Sequence, residues 1–336
     1  MNHRKKSGCA MKRESSSKWQ WFIPVVRLSP ISTFVLRFKN KITWIFQTFV
    51  GIFLSKLRIQ GARIVGNSFL GNIFLEFNVD TLLGKKGQKI MMPKDLVLFE
   101  SVRSKGFWEP SIVSFLAQPL MDLKIEESIA EYTLLDIGAN CGLITRQVAN
   151  LAKKNFDAVC IEPLAQNFEA LQFNVTSLPR IRELSTHALA LGDVNCELDI
   201  YTEKANLGNT SFLKMKSRNV TKSKVFQKST SEFIDGNFKN RTRIILKCDT
   251  QGYETEILSQ FSASFWQRID FGVVEIRSLP SLNQLNVESI LNFLKRYPTM
   301  FWIEGSTQTN VKVSEVREFW LSKTNEELDL CFSNVI

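Results

Sequence analysis

Three short stretches of this sequence carry residue types at spacings suited to chemistry. The first is Asp136-Ile-Gly-Ala-Asn-Cys-Gly142, an acid followed by two glycines four apart with Asn140 between them. The second is Glu162, twenty-six residues after Asp136, which closes the apolar run "DAVCIE". The third is "KCDTQGYE", which brings Asp249, Gly252 and Glu254 into one turn. A glycine turn between a strand and a helix is a ligand-binding device. Its flanking residues decide which ligand it takes.

A phosphate loop needs Gly-Lys-Ser/Thr, which is absent, and a dinucleotide loop reads G-x-G-x-x-G. Here positions 138, 140 and 143 are Gly, Asn and Leu, so two of the three glycines are missing. Asp136 would also repel a diphosphate. An acid before the turn suits a ligand that is positively charged and carries no phosphate. S-adenosylmethionine (SAM), with an ammonium and a sulfonium, is such a ligand. Glu162 is placed to accept both hydroxyls of an adenosine ribose, the role of the acid found roughly 20 residues on in dinucleotide folds. The alternative is a plain strand–helix turn with a helix cap.

Those residues need a sheet to hold them, and the chain supplies one. From Tyr132 onward apolar strand-like runs alternate with helical stretches: "YTLLDIG", "DAVCIEP", "STHALALGD", "RIILKCD", "FGVVEIR" and "MFWIEG" are strands. "CELDIYTE" reads as an added hairpin strand, residues 203–231 as a polar, basic loop, and "VSEVREFWLSK" then "LDLCFSNVI" as a last helix and strand. This alternation predicts an α/β fold with a mostly parallel sheet covered on both faces. Ligands bind such a sheet at the carboxyl ends of its strands. Asp136, Glu162, Asp249 and Glu275 all fall at or near such ends. His187 in "STHALA" has a suitable pKa for a base but precedes the strand end, where a packed histidine is expected. Asp249, Glu254 and Glu275 would hold a metal only if they converged, and no His-rich spacing supports one, so none is expected.

The amino-terminal part is organised differently. The formal net charge is +10, from 43 basic and 33 acidic residues. Residues 1–60 hold twelve of the basic residues and one acid, Glu14, leaving 31 basic and 32 acidic residues beyond them. The excess charge therefore belongs to an arm, and nucleic acid is not the expected partner of the body. Within the arm, the uncharged run Ile42 to Ser55 is flanked by Lys39, Lys41, Lys56 and Arg58. Fourteen residues make a helix of only about 21 Å, short of the roughly 30 Å hydrocarbon core. Two readings stay open for residues 21–59: a helix that packs on the catalytic domain or on another copy, or an interfacial helix on the inner face of a membrane. Residues 61–130 read as small strands, then a helical lead-in or lid around "GFWEP", and residues 131–336 as the cofactor-binding domain. The six cysteines form no C-x-x-C pair. They read as buried thiols of a cytoplasmic protein.

Taken together, "LLDIGANCGLIT", "VCIEPLAQNFEALQFNV", "GNTSF" and "ILKCDTQGYETEIL" resemble the FkbM-type methyltransferases, within the class I, Rossmann-like SAM-dependent enzymes. The resemblance spans about residues 90 to 336, with "GFWEP" upstream and "VVEIR" downstream, and leaves residues 1–89 uncovered. It implies a seven-stranded sheet whose last strand is antiparallel. It also implies methyl transfer to a hydroxyl, on a sugar, a glycan or a secondary metabolite. Asp136, Gly138, Asn140 and Gly142 would form the SAM loop, and Glu162 would hold the ribose. Asn167 lies in the following P-x-x-x-N segment. Asp249, Gly252 and Glu254 match a D-x-E/Q-G-x-E segment with Gln251 as its Gln variant. Asp249 and Glu254 are the candidates for a catalytic base. Arg277 stands where many members carry His. Two other expectations compete: a non-catalytic SAM-binding scaffold subunit, and a nicotinamide-dependent oxidoreductase.

Overall fold

The computed structural model describes residues 62–121, 131–203, 206–211, 220–238 and 242–334, all within one compact unit, Thr48–Ile336. The expected N-terminal helical extension, and the membrane or partner contact assigned to it, lie outside the described residues.

Described structure begins with a three-stranded antiparallel sheet: β1 (Ala62–Asn67), β2 (Ile73–Phe77) and β3 (Lys89–Met92). Helix α1 (Leu96–Lys105) follows. Asp95 starts it by accepting from the backbone N–H groups of Val97 and Leu98 at 2.9 and 3.0 Å, the usual work of an Asp cap. Helix α2 (Pro110–Met121) opens on a proline, which suits the first helical turn and buries Ile112, Val113, Phe115 and Leu116.

The central elements then alternate as expected: β4 (Tyr132–Ile137), α3 (Leu143–Leu151), β5 (Phe156–Ile161), α4 (Ala165–Val175) and β6 (Ile181–His187). A side excursion follows through β7 (Ala190–Gly192), β8 (Cys196–Glu203), β9 (Asn206–Ser211), β10 (Val220–Ser229) and α5 (Thr230–Asn237). The chain returns through β11 (Arg243–Cys248), α6 (Glu254–Leu258), α7 (Ala263–Trp266), β12 (Ile269–Arg277) and α8 (Gln284–Leu294). It closes with β13 (Thr299–Glu304), β14 (Thr307–Asn310), α9 (Val313–Trp320) and β15 (Glu327–Ser333).

The large sheet has the order β14-β13-β15-β12-β11-β4-β5-β6. Strands β6, β5, β4, β11 and β12 run parallel, and β15 runs antiparallel between β12 and β13. That is the expected seven-stranded core with its reversed last strand. The difference is an eighth strand, β14, which pairs with β13 as a hairpin at the edge. Its sequence, Thr-Gln-Thr-Asn, is wholly exposed, so it offered no apolar pattern from which to read it.

Strand residues alternate between two cores, as a period of two requires. Leu134, Ala158, Ile245 and Val273 face α2, α3 and α4. Leu135, Val159, Leu246 and Val274 face the other layer, with Phe233, Ile257, Trp266, Val287 and Trp320. Burial on both faces explains the unbroken apolar runs. β4 lies between β5 and β11. The chain order reverses there, opening the crevice where ligands bind in such sheets.

Two expectations about the side excursion need correction. The third strand is β6, and it ends at His187; Ala190–Gly192 leaves the large sheet and pairs with β10 instead. The expected basic loop over 203–231 is largely strand: β9 and β10 join β7 and β8 in a four-stranded sheet. Lysines masked the strand character of β10. Lys222 and Lys224 point outward to ion pairs with Asp199 and Glu197 on β8, while Val225, Gln227 and Ser229 alternate inward. Residues 212–219, the rest of the expected loop, lie outside the described residues.

Candidate active site

A cleft of about 410 Å³ opens at the carboxyl ends of β4, β5, β11 and β12. Its first wall is the loop after β4. Gly138 and Ala139 donate their N–H groups to the Ile161 carbonyl at 3.0 and 2.9 Å, laying the loop across the end of β5. Gly138, Asn140 and Gly142 all take positive φ, 75°, 50° and 77°. Such a conformation comes readily to glycine and, among other residues, most readily to Asn or Asp.

Glu162 fixes that loop from β5. Its carboxylate accepts from the N–H groups of Asn140 (3.0 Å) and Leu164 (2.9 Å) and from Asn167 Nδ2 (3.4 Å). Burial pushes its pKa up to about 7, against those hydrogen bonds. The side-chain oxygens of Asn140 and Asn167 are buried without partners. An orphaned buried acceptor is costly, and these two belong to residues that line the cleft beside Glu162.

Not every residue assigned to this wall reaches the cleft. Asp136 is fully buried beneath it, accepting from Thr145 Oγ1 at 2.6 Å, and burial raises its pKa. Gly142 faces away: a Cβ there would come within 2.8 Å of Leu171 and Val175 on α4. Gly142 is needed for helix packing. Asp136 and Gly142 therefore support the loop from behind, and the residues of this wall that line the cleft include Gly138, Asn140, Glu162 and Asn167.

The second wall follows β11. Lys247 is buried in the apolar run of that strand, and its ammonium donates to Asp249 Oδ2 at 3.1 Å. Burial opposes the charge, but Asp249, Asp136 and Glu109 outweigh it and keep the lysine protonated. Gln251 Nε2 donates to the other oxygen of Asp249 at 3.1 Å and to Glu275 at 3.0 Å. Both Asp249 oxygens are thus held, and the residue lines the cleft. Arg277 approaches Gln251 Oε1 at 3.5 Å and Glu327 at 3.6 Å from β12.

Glu254, the other expected base, is turned away. Its carboxylate accepts from the Thr250 N–H (2.6 Å), the Thr250 hydroxyl (2.9 Å) and the Gly252 N–H (3.0 Å). It clamps its own turn, and it is not among the cleft-lining residues. Nor do Asp249, Glu254 and Glu275 converge on a metal. Among the described residues no group of three or more His, Cys, Asp or Glu is placed to hold one. The Gln251 amide separates Asp249 from Glu275, and Glu254 faces its loop. His187 sits outside the cleft as a packed strand residue. It bonds Ser185 Oγ at 2.6 Å and meets Phe233 edge-on, and burial, then Lys228, lowers its pKa.

Residues 136–298 match the family described as the methyltransferase FkbM domain. Those residues are an FkbM-type methyltransferase domain. No curated protein matches the chain by sequence. Similar solved structures include a precorrin-6y C5,15-methyltransferase from Geobacter metallireducens, 10% identical, covering 67% of this chain and 87% of its own, with a TM-score of 0.31. A human methyltransferase 10 domain-containing protein is 10% identical over 70% of this chain and 85% of its own, with a TM-score of 0.34. A SAM-dependent O-methyltransferase from Thermotoga maritima is 11% identical over 78% of each chain, with a TM-score of 0.30. The strand order, and not these distant likenesses, defines the fold.

The cofactor of this methyltransferase domain is SAM, and the first wall fits it. A nucleoside brings hydroxyl and amino donors, which suit Glu162 and the unpartnered oxygens of Asn140 and Asn167. Among the described residues no helix is long and apolar enough to cross a membrane.

Sequence reasoning placed no role on Lys247, and it treated Glu109 only as part of an aromatic lid. Lys247 was detectable as a lone charge inside "RIILKC". Glu109 gave a weaker signal, an acid between Trp108 and Pro110, and the structure brings it to the same cleft.

Proposed function

We propose that this chain transfers a methyl group from SAM to a hydroxyl oxygen of a sugar, a glycan or a related secondary metabolite. The observation that supports this reading is Asp249: a carboxylate held on both oxygens, opening onto the cleft that the SAM loop also lines.

SAM, when bound, supplies a methyl carbon activated by its sulfonium. Glu162, Asn140 and Asn167 would hold its nucleoside, and Gly138 would let it pass close to the backbone. An acceptor alcohol must shed its proton as the new C–O bond forms. Asp249 is the group placed to take it, and a positioned base is worth about 10²–10⁴-fold. Lys247 and Gln251 fix the carboxylate's direction before the acceptor arrives, which reduces the reorganisation required. Glu254 holds the backbone of Thr250 and Gly252 and so keeps the turn in place.

Paired variants test these roles. Asp249→Asn should leave SAM affinity within about threefold while turnover falls by at least about 10²-fold. Glu254→Gln should act mainly on stability. Turnover lost only in Glu254→Gln would move the base to Glu254, and wild-type turnover in both would sink the assignment.

The same reading gives the chain a cytoplasmic site of action, supported by the free, buried thiols of Cys141, Cys160, Cys248 and Cys331. It also gives the basic arm a peripheral contact with the inner membrane face. Full-length protein that ignores anionic vesicles at low salt would remove that contact from the account.

A further inference from the structure

The segment before α2 is built to present one side chain. Gln147, wholly buried on α3, grips the backbone of Trp108 on both sides. Its Nε2 donates to the Trp108 carbonyl at 2.9 Å, and its Oε1 accepts from the Trp108 N–H at 3.0 Å. Glu109 follows with φ of 43°. A side chain rarely takes that conformation, and a residue before proline is normally extended. Pro110 then starts α2. Strain of this kind persists only where its surroundings impose it, and it collects at ligand-binding sites.

The strained residue faces the cleft. Glu109, half-buried, lines its wall among the residues that also include Asp249, Gln251 and Gly138. Its carboxylate takes no hydrogen bond from any described residue. That sets it apart from Asp249, Glu162 and Glu254, whose oxygens are all engaged within the protein. The charged groups around it are Lys247 on β11, Asp249 beyond that strand, Asp329 on β15 and Asp136 on β4. Burial, more than these neighbours, pushes the Glu109 pKa up to about 8.

This setting selects a kind of acceptor. Around Glu109 one cation, Lys247, faces four carboxyl groups and is already engaged with Asp249, while Arg277, the other cation lining the cleft, is turned toward Gln251 and Glu327. An acceptor carrying phosphate or carboxylate near this wall would meet repulsion. A neutral hydroxyl meets an unfilled acceptor instead. Asp249 and Glu109 also reach the cleft from different elements, so two hydroxyls of one molecule can be held at once.

Resting on the proposed methyl transfer, we infer that Glu109 is the acceptor-binding carboxyl of this site. It takes a hydrogen bond from a second hydroxyl of an uncharged polyol, while Asp249 receives the proton of the hydroxyl being methylated. The proton moves from the acceptor oxygen to Asp249, the C–O bond forms, and the carbon–sulfur bond breaks with its electron pair going to sulfur.

The test uses the full-length protein with isotope-labelled SAM. The acceptors are methyl glycosides of neutral hexoses, their single-position deoxy analogues, and the matching uronic acids and sugar phosphates. Neutral glycosides should be labelled at least about tenfold better than their anionic counterparts, and one deoxy analogue beside the methylated position should lose about tenfold or more, as for a buried acceptor left without its partner. Glu109→Gln should bind SAM like wild type in calorimetry and unfold in a single cooperative transition. Its KM for the neutral glycoside should rise about tenfold with a smaller change in kcat. Glu109→Ala should lose more, and should no longer distinguish the deoxy analogue. Wild-type KM in both variants, or no penalty for any deoxy analogue with the wild-type protein, overturns the role of Glu109 and leaves the proposed function standing. A wild-type protein that binds SAM but labels no glycoside overturns the proposed function, and this inference with it.

Discussion

A Cβ atom placed on Gly138 would lie 1.8 Å from the carbonyl oxygen of Asp249. The loop after β4 and the turn after β11 touch at this point, with no room for any side chain between them. The cofactor loop and the candidate base are therefore positioned by the same contact. Gly138→Ala should push the two walls apart, adding to the cost of about 1–2 kcal/mol for a left-handed alanine. A lower melting temperature and weaker SAM binding are expected together. A Gly138→Ala protein with wild-type melting temperature and SAM affinity would mean that the two loops do not depend on each other.

Glu162 joins loop order to cofactor affinity. Its carboxylate already holds Asn140 and Leu164, so its loss removes both a ribose partner and the brace of the SAM loop. Glu162→Ala should weaken SAM binding by about 1.5–3 kcal/mol, the scale of a hydrogen bond to a charged group. Calorimetry decides this, and an unchanged dissociation constant would show that the ribose lies elsewhere.

Buried carboxyls give the protein a characteristic response to pH. Burial raises Glu109 from 4.5 to about 8 and Glu162 from 4.5 to about 7. Between the unfolded and folded values the native protein keeps protons that the unfolded chain has released. Stability from these groups is thus fully present below about pH 4.5 and is lost as the pH rises toward 7 and 8. Urea unfolding across this range should show a flatter loss for Glu109→Gln than for wild type, because that variant removes the group with the higher of these two values. Identical slopes would show that Glu109 is solvated and ionises normally.

The parts of this molecule legible in the sequence were those with an apolar pattern. β4, β5, β11 and β12 are continuous hydrophobic runs because both faces of the sheet are covered, and their order placed Gly138, Glu162 and Asp249 at strand ends. β14 and β10 were hidden because their outward residues are polar or charged. Spacing brought Asp249 and Glu254 into one turn, but only the folded backbone shows that Glu254 spends its carboxylate on Thr250 and Gly252. Glu109 was illegible as a site residue for another reason. It precedes the cofactor loop by almost thirty residues, and the contact that aims it, Gln147 on Trp108, is tertiary.

Methyl transfer from SAM to oxygen can be read directly from the product. The most direct measurement incubates the full-length protein with isotope-labelled SAM and neutral methyl glycosides, then locates the label in the product by NMR. A labelled methyl ether is expected, and it should be absent from the Asp249→Asn reaction. Label on nitrogen or carbon, or SAM bound without any labelled glycoside, would contradict methyl transfer to oxygen.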